Sequence, residues 1–349
     1  MFSIGSTAPE AATLPGVDVW RHVTLRSAAR RSPGGYPLVA GAAADEVRPE
    51  LERALGEFRP SAIVFANVWI DGSQSAVRRC GARTIFDSHN VYAAYAAGIG
   101  DDVAAARALE CATLREVDEA WVCSADDARA LRAACGARTA VRVIPNGIDV
   151  AYYADIRAGK TRRMARRAPA LLFVGSFWYE PNRLAAETLV ADILPRVRAE
   201  LGGDVRLLLV GAAPSEAMLS AANLDRGIVV TGRVADVRPY LTLADVVVVP
   251  LAHGSGTRLK LLEAFAAARP VVATAKAAEG LEVGDGVELL MRETPADIAA
   301  AVCELLREPD GAAALAATAL RTVTERYSWE ALRATVRAAV AGAVSRDFR

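Results

Sequence analysis

DVVVVPLAHGSGTRLKLLEAFAAA, residues 245–268 of a 349-residue chain, combines an apolar run, a glycine-containing loop and a segment with helical spacing of its apolar residues. A strand, a loop and a helix in this order form the repeating unit of parallel sheets that are covered by helices. The run is apolar at almost every position, which is typical of a strand with both faces covered. These residues therefore predict one unit of a doubly wound α/β domain.

Similar units occur along the whole chain. In the second half, apolar runs at 171–174, 205–210, 228–230 and 271–273 alternate with helical patterns such as NRLAAETLVADILPRVRAEL at 182–201. In the first half, candidate strands lie at 19–25, 63–67, 84–87, 120–123 and 141–144, and candidate helices at 46–58, 102–118 and 125–135. A chain of this length also exceeds one ordinary hydrophobic core. We therefore predict two doubly wound parallel-sheet domains.

The predicted domains are residues 1–168 and 169–327, followed by a C-terminal helix at 328–349. The arginine-rich stretch RAGKTRRMARRAPA at 157–170 indicates a basic linker over 155–168. A solvated linker is the first interpretation, and docking to an acidic acceptor or membrane surface is the alternative. SWEALRATVRAAVAGAV at 328–344 predicts an amphipathic helix that Ser328 caps.

Composition excludes several classes of protein. Apolar residues make up 53% of the chain and charged residues 23%, which is typical of a globular protein. The 41 basic and 41 acidic residues balance, so no overall field attracts nucleic acid or an anionic membrane. No apolar run approaches the roughly 18 residues that suggest a membrane span, and the first residues do not resemble a signal peptide. We expect a cytoplasmic protein with at most peripheral membrane contact.

The cysteines show no metal-binding or disulfide pattern. There are five, at positions 80, 111, 123, 135 and 303, without a CxxC pair or a histidine at ligand spacing. A scattered, odd set is typical of a reducing compartment. We interpret all five as packing residues and expect no metal site.

Charged residues on the helix after the strand at 245–249 need an explanation. Thr257, Lys260 and Glu263 are three positions apart and share one face, whereas apolar residues occupy the remaining surface. One interpretation is an internal ion pair of Lys260 and Glu263, with Arg258 in solvent. The other is a diphosphate site in which Arg258 and Lys260 bind phosphate oxygens and Glu263 binds a pair of hydroxyls. The position after a glycine-rich loop favours the diphosphate site.

From about Pro169 to Tyr327 the chain resembles the donor-binding half of GT-B-fold glycosyltransferases, in particular the retaining group related to glycosyltransferase family 4, also called glycosyl transferases group 1. The resemblance rests on the stretch quoted above and on four others in the family's order: LLFVGSFWYEPN, VRLLLVGA, VVTGRVADVRPYLTLADVVVVP and RPVVATAKAAEGL. It implies two Rossmann-like domains facing a cleft. It also implies transfer of a sugar from a nucleoside-diphosphate sugar to an acceptor held by the first domain.

The resemblance also implies roles for the loop and helix. Glu263 matches a glutamate that binds the ribose hydroxyls, and the preceding loop, here Ser255, Gly256 and Thr257, contacts the diphosphate. The family often has a second glutamate near the position of Ser255, so the group that contacts the donor sugar is left open.

Basic residues that often follow the first strand of the donor half are absent here, and GSFWYEPN stands at that place. Arg258 and Lys260 are therefore expected to stabilise the departing diphosphate, as catalytic residues. We expect no metal or other cofactor to be required.

Further predicted site residues follow strands. His89, in TIFDSHN, is similar to a histidine of the family's first domain that lies near the sugar and the acceptor, and we predict a catalytic role for it. Gly175, Ser176 and Asn182 are predicted to contact the donor phosphates, and Glu279 the donor sugar. A simple turn at Gly175 and a solvated carboxylate at Glu279 are the alternatives. Gly147, in VIPNGIDV, is assigned to a tight turn with structural importance.

The amino terminus departs from the family pattern, which begins with a strand and a glycine-rich loop. MFSIGSTAPEAATLPGVDVWRHVTL resembles material that follows those elements. We expect either a start downstream of the natural one or a first domain that lacks its first strand.

Two functions compete with glycosyl transfer. One is a nucleotide-sugar epimerase on the same fold, with Asp87 and Glu279 as acid and base. The other is an inactive nucleotide-sugar-binding or partner-binding subunit. For a transferase, saccharide, lipid-linked and natural-product acceptors all fit the sequence, and nucleic acid is not expected as a partner.

Overall fold

A computed structural model describes residues 2–5, 21–24, 38–39, 42–66, 69–70, 74–136, 139–157, 168–254 and 259–344. The contacts divide them into two compact units. The first unit holds the described residues up to Ile144 and those from Thr335 onward, and the second unit is Pro145–Ala334. This division precedes residue 168, the limit predicted from sequence, because Ile148, Val150 and Tyr153 pack into the core of the second unit.

The first unit is built on parallel strands. Its strands are β1 (Phe2–Gly5), β2 (Arg21–Thr24), β3 (Leu38–Val39), β4 (Ala62–Ala66), β5 (Trp69–Ile70), β6 (Arg83–Ser88), β7 (Glu119–Val122) and β8 (Ala140–Val143). Strands β4-β6-β7-β8 form a parallel sheet in that order, and β1-β2 and β3-β5 form two parallel pairs. All five strands predicted in this half are confirmed within one or two residues at most ends.

Phe2–Gly5 is a strand that the sequence did not predict. It pairs in parallel with β2, with Phe2 opposite Arg21 and Gly5 opposite Thr24. The opening residues were interpreted as material that follows the family's first strand and loop, and the first candidate strand was placed at residues 19–25. A run of four residues that includes serine and glycine is too short to show a strand period.

The helices of the first unit cover its main sheet. They are α1 (Ala42–Phe58), α2 (Gln74–Cys80), α3 (Tyr92–Ile99), α4 (Val103–Arg115) and α5 (Ala125–Cys135). Side chains fix their starts: Asp102 accepts a hydrogen bond from the Ala105 amide, and Ser124 accepts one from the Asp127 amide. Gly136 ends α5 in the left-handed conformation.

Two cysteines of the first unit correct the prediction that all five serve packing. Cys111 of α4 and Cys135 of α5 form a disulfide bond. Cys80, Cys123 and Cys303 are free, and the last two are buried. The pair is separated by 24 residues and meets only because α4 packs against α5, so no local spacing indicated it.

The second unit contains a six-stranded parallel sheet. Its strands are β9 (Ala170–Val174), β10 (Arg206–Val210), β11 (Ile228–Val230), β12 (Val246–Val249), β13 (Val271–Ala273) and β14 (Leu290–Met291), arranged in the order β11-β10-β9-β12-β13-β14. The chain starts in the middle with β9, proceeds outward to β11 and resumes on the other side with β12. Neighbouring β9 and β12 therefore define the switch point where ligands bind in sheets of this kind.

Helices of the second unit follow the predicted pattern. They are α6 (Ala154–Arg157), preceded by a 3-10 turn (Ala151–Tyr153), α7 (Glu180–Thr188), α8 (Leu194–Leu201), α9 (Glu216–Leu224), α10 (Arg238–Leu243), α11 (Leu259–Ala266), α12 (Ala275–Ala278), α13 (Pro295–Arg307) and α14 (Pro309–Arg326). A π turn (Leu189–Ile193) joins α7 to α8, so the helical stretch predicted at 182–201 is confirmed as one continuous helical segment.

The last helix, α15 (Trp329–Val344), starts in the second unit and ends in the first. Ser328 accepts a hydrogen bond from the Ala331 amide at 3.1 Å, so the predicted cap is confirmed. In the first unit, Ala339 and Ala343 are buried in one cluster with Ile85 and Trp121. The helix thereby contributes part of the first unit's core from the far end of the sequence.

Over the described ranges, none of the helices is both long enough and apolar enough to cross a bilayer.

Candidate functional site

The loop that leaves β9 lies close to the end of β10. Gly211, directly after β10, has a φ of 151°, and a Cβ added there would lie 1.8 Å from the carbonyl oxygen of Gly175. Only glycine allows the two backbone segments to approach this closely. Gly211 was not predicted as a site residue, although a glycine directly after the apolar run in VRLLLVGA was a usable signal.

Lys260, in the first turn of α11, reaches the loop and helix that follow β9. Its Nζ donates a hydrogen bond to Asn182 Oδ1 at 2.7 Å and lies 4.2 Å from the ring centroid of Phe173. Asn182 is 8% exposed, and its amide nitrogen donates to the Ser176 carbonyl at 2.9 Å. The ammonium group is therefore held where the chain leaves the two central strands, β9 and β12.

Gly175 completes this group. A Cβ there would lie 2.9 Å from Asn182 Cγ and 3.0 Å from Lys260 Nζ. The close approach of these two side chains, in addition to the turn itself, accounts for a glycine at this position. The structure thus brings together Gly175, Ser176, Asn182 and Lys260, four residues that the sequence predicted to act on the donor diphosphate.

Glu263 lies about one turn further along α11 and is partly buried. The Tyr153 hydroxyl donates to Glu263 Oε1 over 3.3 Å. Burial raises the pKa of Glu263, and the Tyr153 hydrogen bond and the positive charge of Lys260 partly oppose that rise. Lys260 and Glu263 thus each form a hydrogen bond with a residue of a different element.

Four predicted site residues precede α11. Ser255, Gly256, Thr257 and Arg258 lie outside the described residues, so their predicted contacts with the diphosphate stay predictions. Gly254, the last described residue before them, has a φ of 115°, a conformation that favours glycine.

Glu279 follows α12 on the exposed surface. Its Oε2 accepts a hydrogen bond from Lys276 Nζ at 2.7 Å, and both side chains are more than a third exposed. This geometry matches the solvated carboxylate that was the alternative interpretation. The contact of Glu279 with a donor sugar stays a prediction.

His89 belongs to the first unit and stands directly after β6. Its Nε2 lies 3.1 Å from Asp87 Oδ2, and half of its side chain is exposed. The hydrogen bond to Asp87 raises the pKa of His89, although partial burial opposes the rise. The imidazole is therefore accessible and stays protonated to a higher pH than an ordinary histidine.

Glu110 supports the segment that follows His89 and was missed by the sequence analysis. It is 1% exposed, and its Oε1 accepts a hydrogen bond from the Tyr92 amide at the start of α3. Burial raises the pKa of Glu110 to about 7, while the backbone amides of Tyr92 and Ala93 lower it. The signal was a single acidic residue within the otherwise buried face of ARALECATL.

No group of three or more histidine, cysteine, aspartate or glutamate side chains able to hold a metal ion occurs within the described part of the chain. The positive charge identified near the switch point comes from Lys260.

Comparison with known families identifies the chain. The description "Glycosyl transferases group 1" matches residues 168–308, and "Glycosyl transferase 4-like domain" matches residues 5–147. The chain belongs to the group 1, family 4-like glycosyltransferases. Each half of the chain thus matches a family description of its own.

Two curated relatives are similar to this chain. Phosphatidyl-myo-inositol mannosyltransferase of Mycolicibacterium smegmatis is 31% identical over 198 residues, which cover 55% of this chain and 50% of the relative. D-inositol 3-phosphate glycosyltransferase of Geodermatophilus obscurus is 29% identical over 297 residues, 77% of this chain and 63% of the relative. The chain therefore spans between half and two thirds of the length of these relatives.

Solved structures agree with the predicted fold. A glycosyltransferase from Rickettsia africae superposes with a TM-score of 0.70 at 13% identity, covering 93% of this chain and 86% of that protein. Sucrose-phosphate synthase from Thermosynechococcus elongatus gives 0.68 at 22% identity, with coverages of 86% and 78%. Anabaena HepE, crystallised with UDP and glucose, gives 0.66 at 13% identity, with coverages of 92% and 86%. The predicted GT-B, Rossmann-like fold is confirmed.

Proposed function

We propose that this protein is a retaining glycosyltransferase that moves a sugar from a nucleoside-diphosphate sugar to a carbohydrate-type acceptor. The observation that carries the proposal is the Lys260 ammonium, held 2.7 Å from Asn182 where the chain leaves β9 and β12, with Glu263 about one turn away. Membership of the family supports the reaction type. The UDP and glucose bound to HepE support a nucleotide-sugar donor.

Lys260 supplies the charge for the diphosphate. A phosphate oxygen bound beside Gly175 forms a charge-assisted hydrogen bond with Nζ, which already lies against Asn182 and the Phe173 ring. Partial burial lowers the local dielectric, so the ammonium acts strongly on the charge that develops on the departing diphosphate. Arg258 is assigned a parallel role from its position in the sequence, and we expect the reaction to need no metal.

Glu263 recognises the ribose. A carboxylate offers about four lone-pair positions, so the bond from Tyr153 leaves acceptor capacity for two neighbouring hydroxyls. This role requires the ionised form. Because burial raises the pKa of Glu263, the carboxylate loses its charge at a higher pH than an exposed glutamate does.

His89 is assigned to the sugar or the acceptor hydroxyl, on the basis of the family resemblance. Its accessible ring and its bond to Asp87 suit a hydrogen-bond donor. Retention means that the product keeps the anomeric configuration of the donor.

Calorimetry tests the donor site. Wild-type protein is titrated with UDP, GDP, ADP, CDP and dTDP, and the ligand that binds is then titrated into Lys260→Ala and Glu263→Gln. Loss of one charge-assisted contact is expected to weaken binding by roughly 10- to 100-fold. Arg196→Ala is the control, since it removes a surface cation that pairs with Asp192 on the same helical segment. Unchanged affinity in both site variants would remove the assignment.

Turnover separates the candidate functions. Mass spectrometry of the nucleotide-sugar retained by purified protein names the donor, and that donor is incubated with saccharide, lipid-linked and natural-product acceptors. Transfer is expected, with the donor's anomeric configuration in the product by proton NMR. An inverted product would refute retention, conversion of the donor without acceptor would establish an epimerase, and binding without turnover would establish an inactive subunit.

A further inference from the structure

Residues 151–157, the 3-10 turn and α6, lie against α11 and are called the α6 brace below. The sequence predicted that a solvated linker starts at residue 155. Instead, Ile156 is buried in the core of the second unit, and Arg157 Nη1 donates to the carbonyls of Val150 at 3.0 Å and Ala266 at 2.6 Å. The brace is therefore attached to the far end of the helix that carries Lys260 and Glu263.

Tyr153 connects the brace to the functional face of α11. Its side chain is 4% exposed, and its hydroxyl lies 3.3 Å from Glu263 Oε1. A buried tyrosine hydroxyl needs a partner, because leaving it unsatisfied costs about 1–3 kcal/mol. The partner here is the carboxylate that the proposed function assigns to the ribose.

The opposite side of the brace is fixed as well. The Arg238 guanidinium stacks 3.8 Å above the Tyr152 ring, and its Nη1 donates to the Tyr152 carbonyl at 3.2 Å. Asp236 in turn holds Arg238 through a salt bridge of 2.7 Å. Tyr153 thus projects from a segment that is held from two directions, so its hydroxyl has a defined position.

We propose that Tyr153 is a positioning residue whose hydroxyl holds the Glu263 carboxylate in the orientation that receives the ribose hydroxyls. A glutamate side chain has three rotatable bonds, and fixing it before binding lowers the entropic cost of the contact. A phenylalanine would fill the same space, so the hydroxyl accounts for the choice of tyrosine. This inference rests on the proposed function, because Glu263 must contact the nucleotide.

Charges around the pair determine its pH behaviour. Lys260 on the same helix favours the ionised form of Glu263, and burial opposes it. Tyr152 and Asp236 lie near the Tyr153 side chain, Arg238 stacks on Tyr152, and Arg157 bonds the end of α11. Because the Tyr153 hydroxyl lowers the pKa of Glu263, its removal raises that pKa, and binding is then lost at a higher pH.

The test uses Tyr153→Phe, with Tyr152→Phe as the matched control. The nucleoside diphosphate that binds wild type in the panel above is titrated calorimetrically together with its 2′-deoxy form, such as UDP with dUDP or GDP with dGDP. We expect Tyr153→Phe to weaken binding of the ribonucleotide about 5- to 10-fold and binding of the deoxynucleotide by less, because the lost hydrogen bond acts through the contact of Glu263 with the ribose. Tyr152→Phe should leave both affinities unchanged.

Two further results distinguish a failure of the positioning role of Tyr153 from a failure of the proposed ribose contact of Glu263. In the first case, wild type binds a nucleoside diphosphate and Glu263→Gln weakens that binding, but Tyr153→Phe lowers the affinities for the ribonucleotide and the deoxynucleotide equally or not at all. This result refutes the positioning role and leaves the proposed site in place. If Glu263→Gln itself has no effect, the proposed ribose contact fails first. The pH dependence gives an independent reading: the loss of affinity on acidification should begin at a higher pH in Tyr153→Phe than in wild type. Circular dichroism confirms that the isosteric variant is folded.

Discussion

Replacing Gly175 with alanine tests the geometry at the switch point directly. The added Cβ would lie 2.9 Å from Asn182 Cγ and 3.0 Å from Lys260 Nζ, both at the ends of side chains. Carbon contacts are normally about 3.5–4.0 Å, so both groups must move by roughly half an ångström. Side-chain ends can make this adjustment without a change of fold, and the strain acts on the group that we assign to the diphosphate.

The expected magnitude follows from the displaced contact. A hydrogen bond to a charged group contributes about 1.5–3 kcal/mol when intact. A displaced but not deleted ammonium should lose about half of this, or about 0.8–1.5 kcal/mol, which corresponds to a roughly 4- to 12-fold weaker Kd for the nucleoside diphosphate. The loss should be smaller than that caused by Lys260→Ala, since the charge is still present.

The assay is calorimetric titration of Gly175→Ala with the bound nucleoside diphosphate. Gly203→Ala is the control, because a Cβ at Gly203, in the turn after α8, has no neighbouring atom within 4 Å. The control should bind like wild type. If Gly175→Ala is folded and also binds like wild type, then Lys260 and Asn182 do not lie beside the diphosphate, and the proposed geometry is wrong.

Three other expectations concern pH and packing. On acidification, nucleotide affinity should begin to fall at a higher pH than an ordinary glutamate would cause, because burial raises the pKa of Glu263. The Glu263→Gln variant shows the part of this fall that comes from protonation of the nucleotide itself. Identical profiles of affinity against pH in wild type and Glu263→Gln would contradict the ribose-binding role of Glu263. Glu110, with a pKa raised to about 7, contributes stability that is present below its unfolded pKa and lost as the pH rises through 7. Urea unfolding of wild type and Glu110→Gln should therefore show a stability difference that falls by about 2.5 kcal/mol between about pH 5 and pH 8, and a constant difference would refute it. Gly147→Ala should destabilise the protein by about 1–3 kcal/mol, since its Cβ would lie 2.7 Å from the Trp329 ring, and this loss should shrink in a Trp329→Ala background; an equal loss in both backgrounds would exclude that clash.

Regular elements of the second unit were accessible from the sequence because their signals are local. The valine run at 246–249 is apolar on both faces, so it can be recognised as a strand without knowledge of a distant partner. The same holds for the helix at 259–266, where the charged stripe indicated that one face does not enter the core. The resemblance to the family implies the order of the strands in the sheet. That order in turn implies that Gly175, Asn182 and Lys260 lie close together.

Contacts between distant segments were not accessible. Tyr153 and Glu263 are 110 positions apart, and nothing in AYYADIR indicates that one of its tyrosines reaches α11. Glu110 accepts its hydrogen bond from an amide 18 residues earlier, and Gly211 approaches the Gly175 carbonyl only after the sheet has formed. Periodicity predicts which face of an element is buried, but it does not specify which buried side chains meet.

The shared helix α15 determines how the protein can be divided. A fragment that ends at residue 144 would leave Ile85 and Trp121 without Ala339 and Ala343, which complete their cluster. It would also leave Arg83 without the Gly342 carbonyl to which its Nη1 donates at 3.3 Å. Separate expression of the first unit therefore requires the carboxyl-terminal peptide to be supplied in trans or joined by a new linker, as in circular permutation.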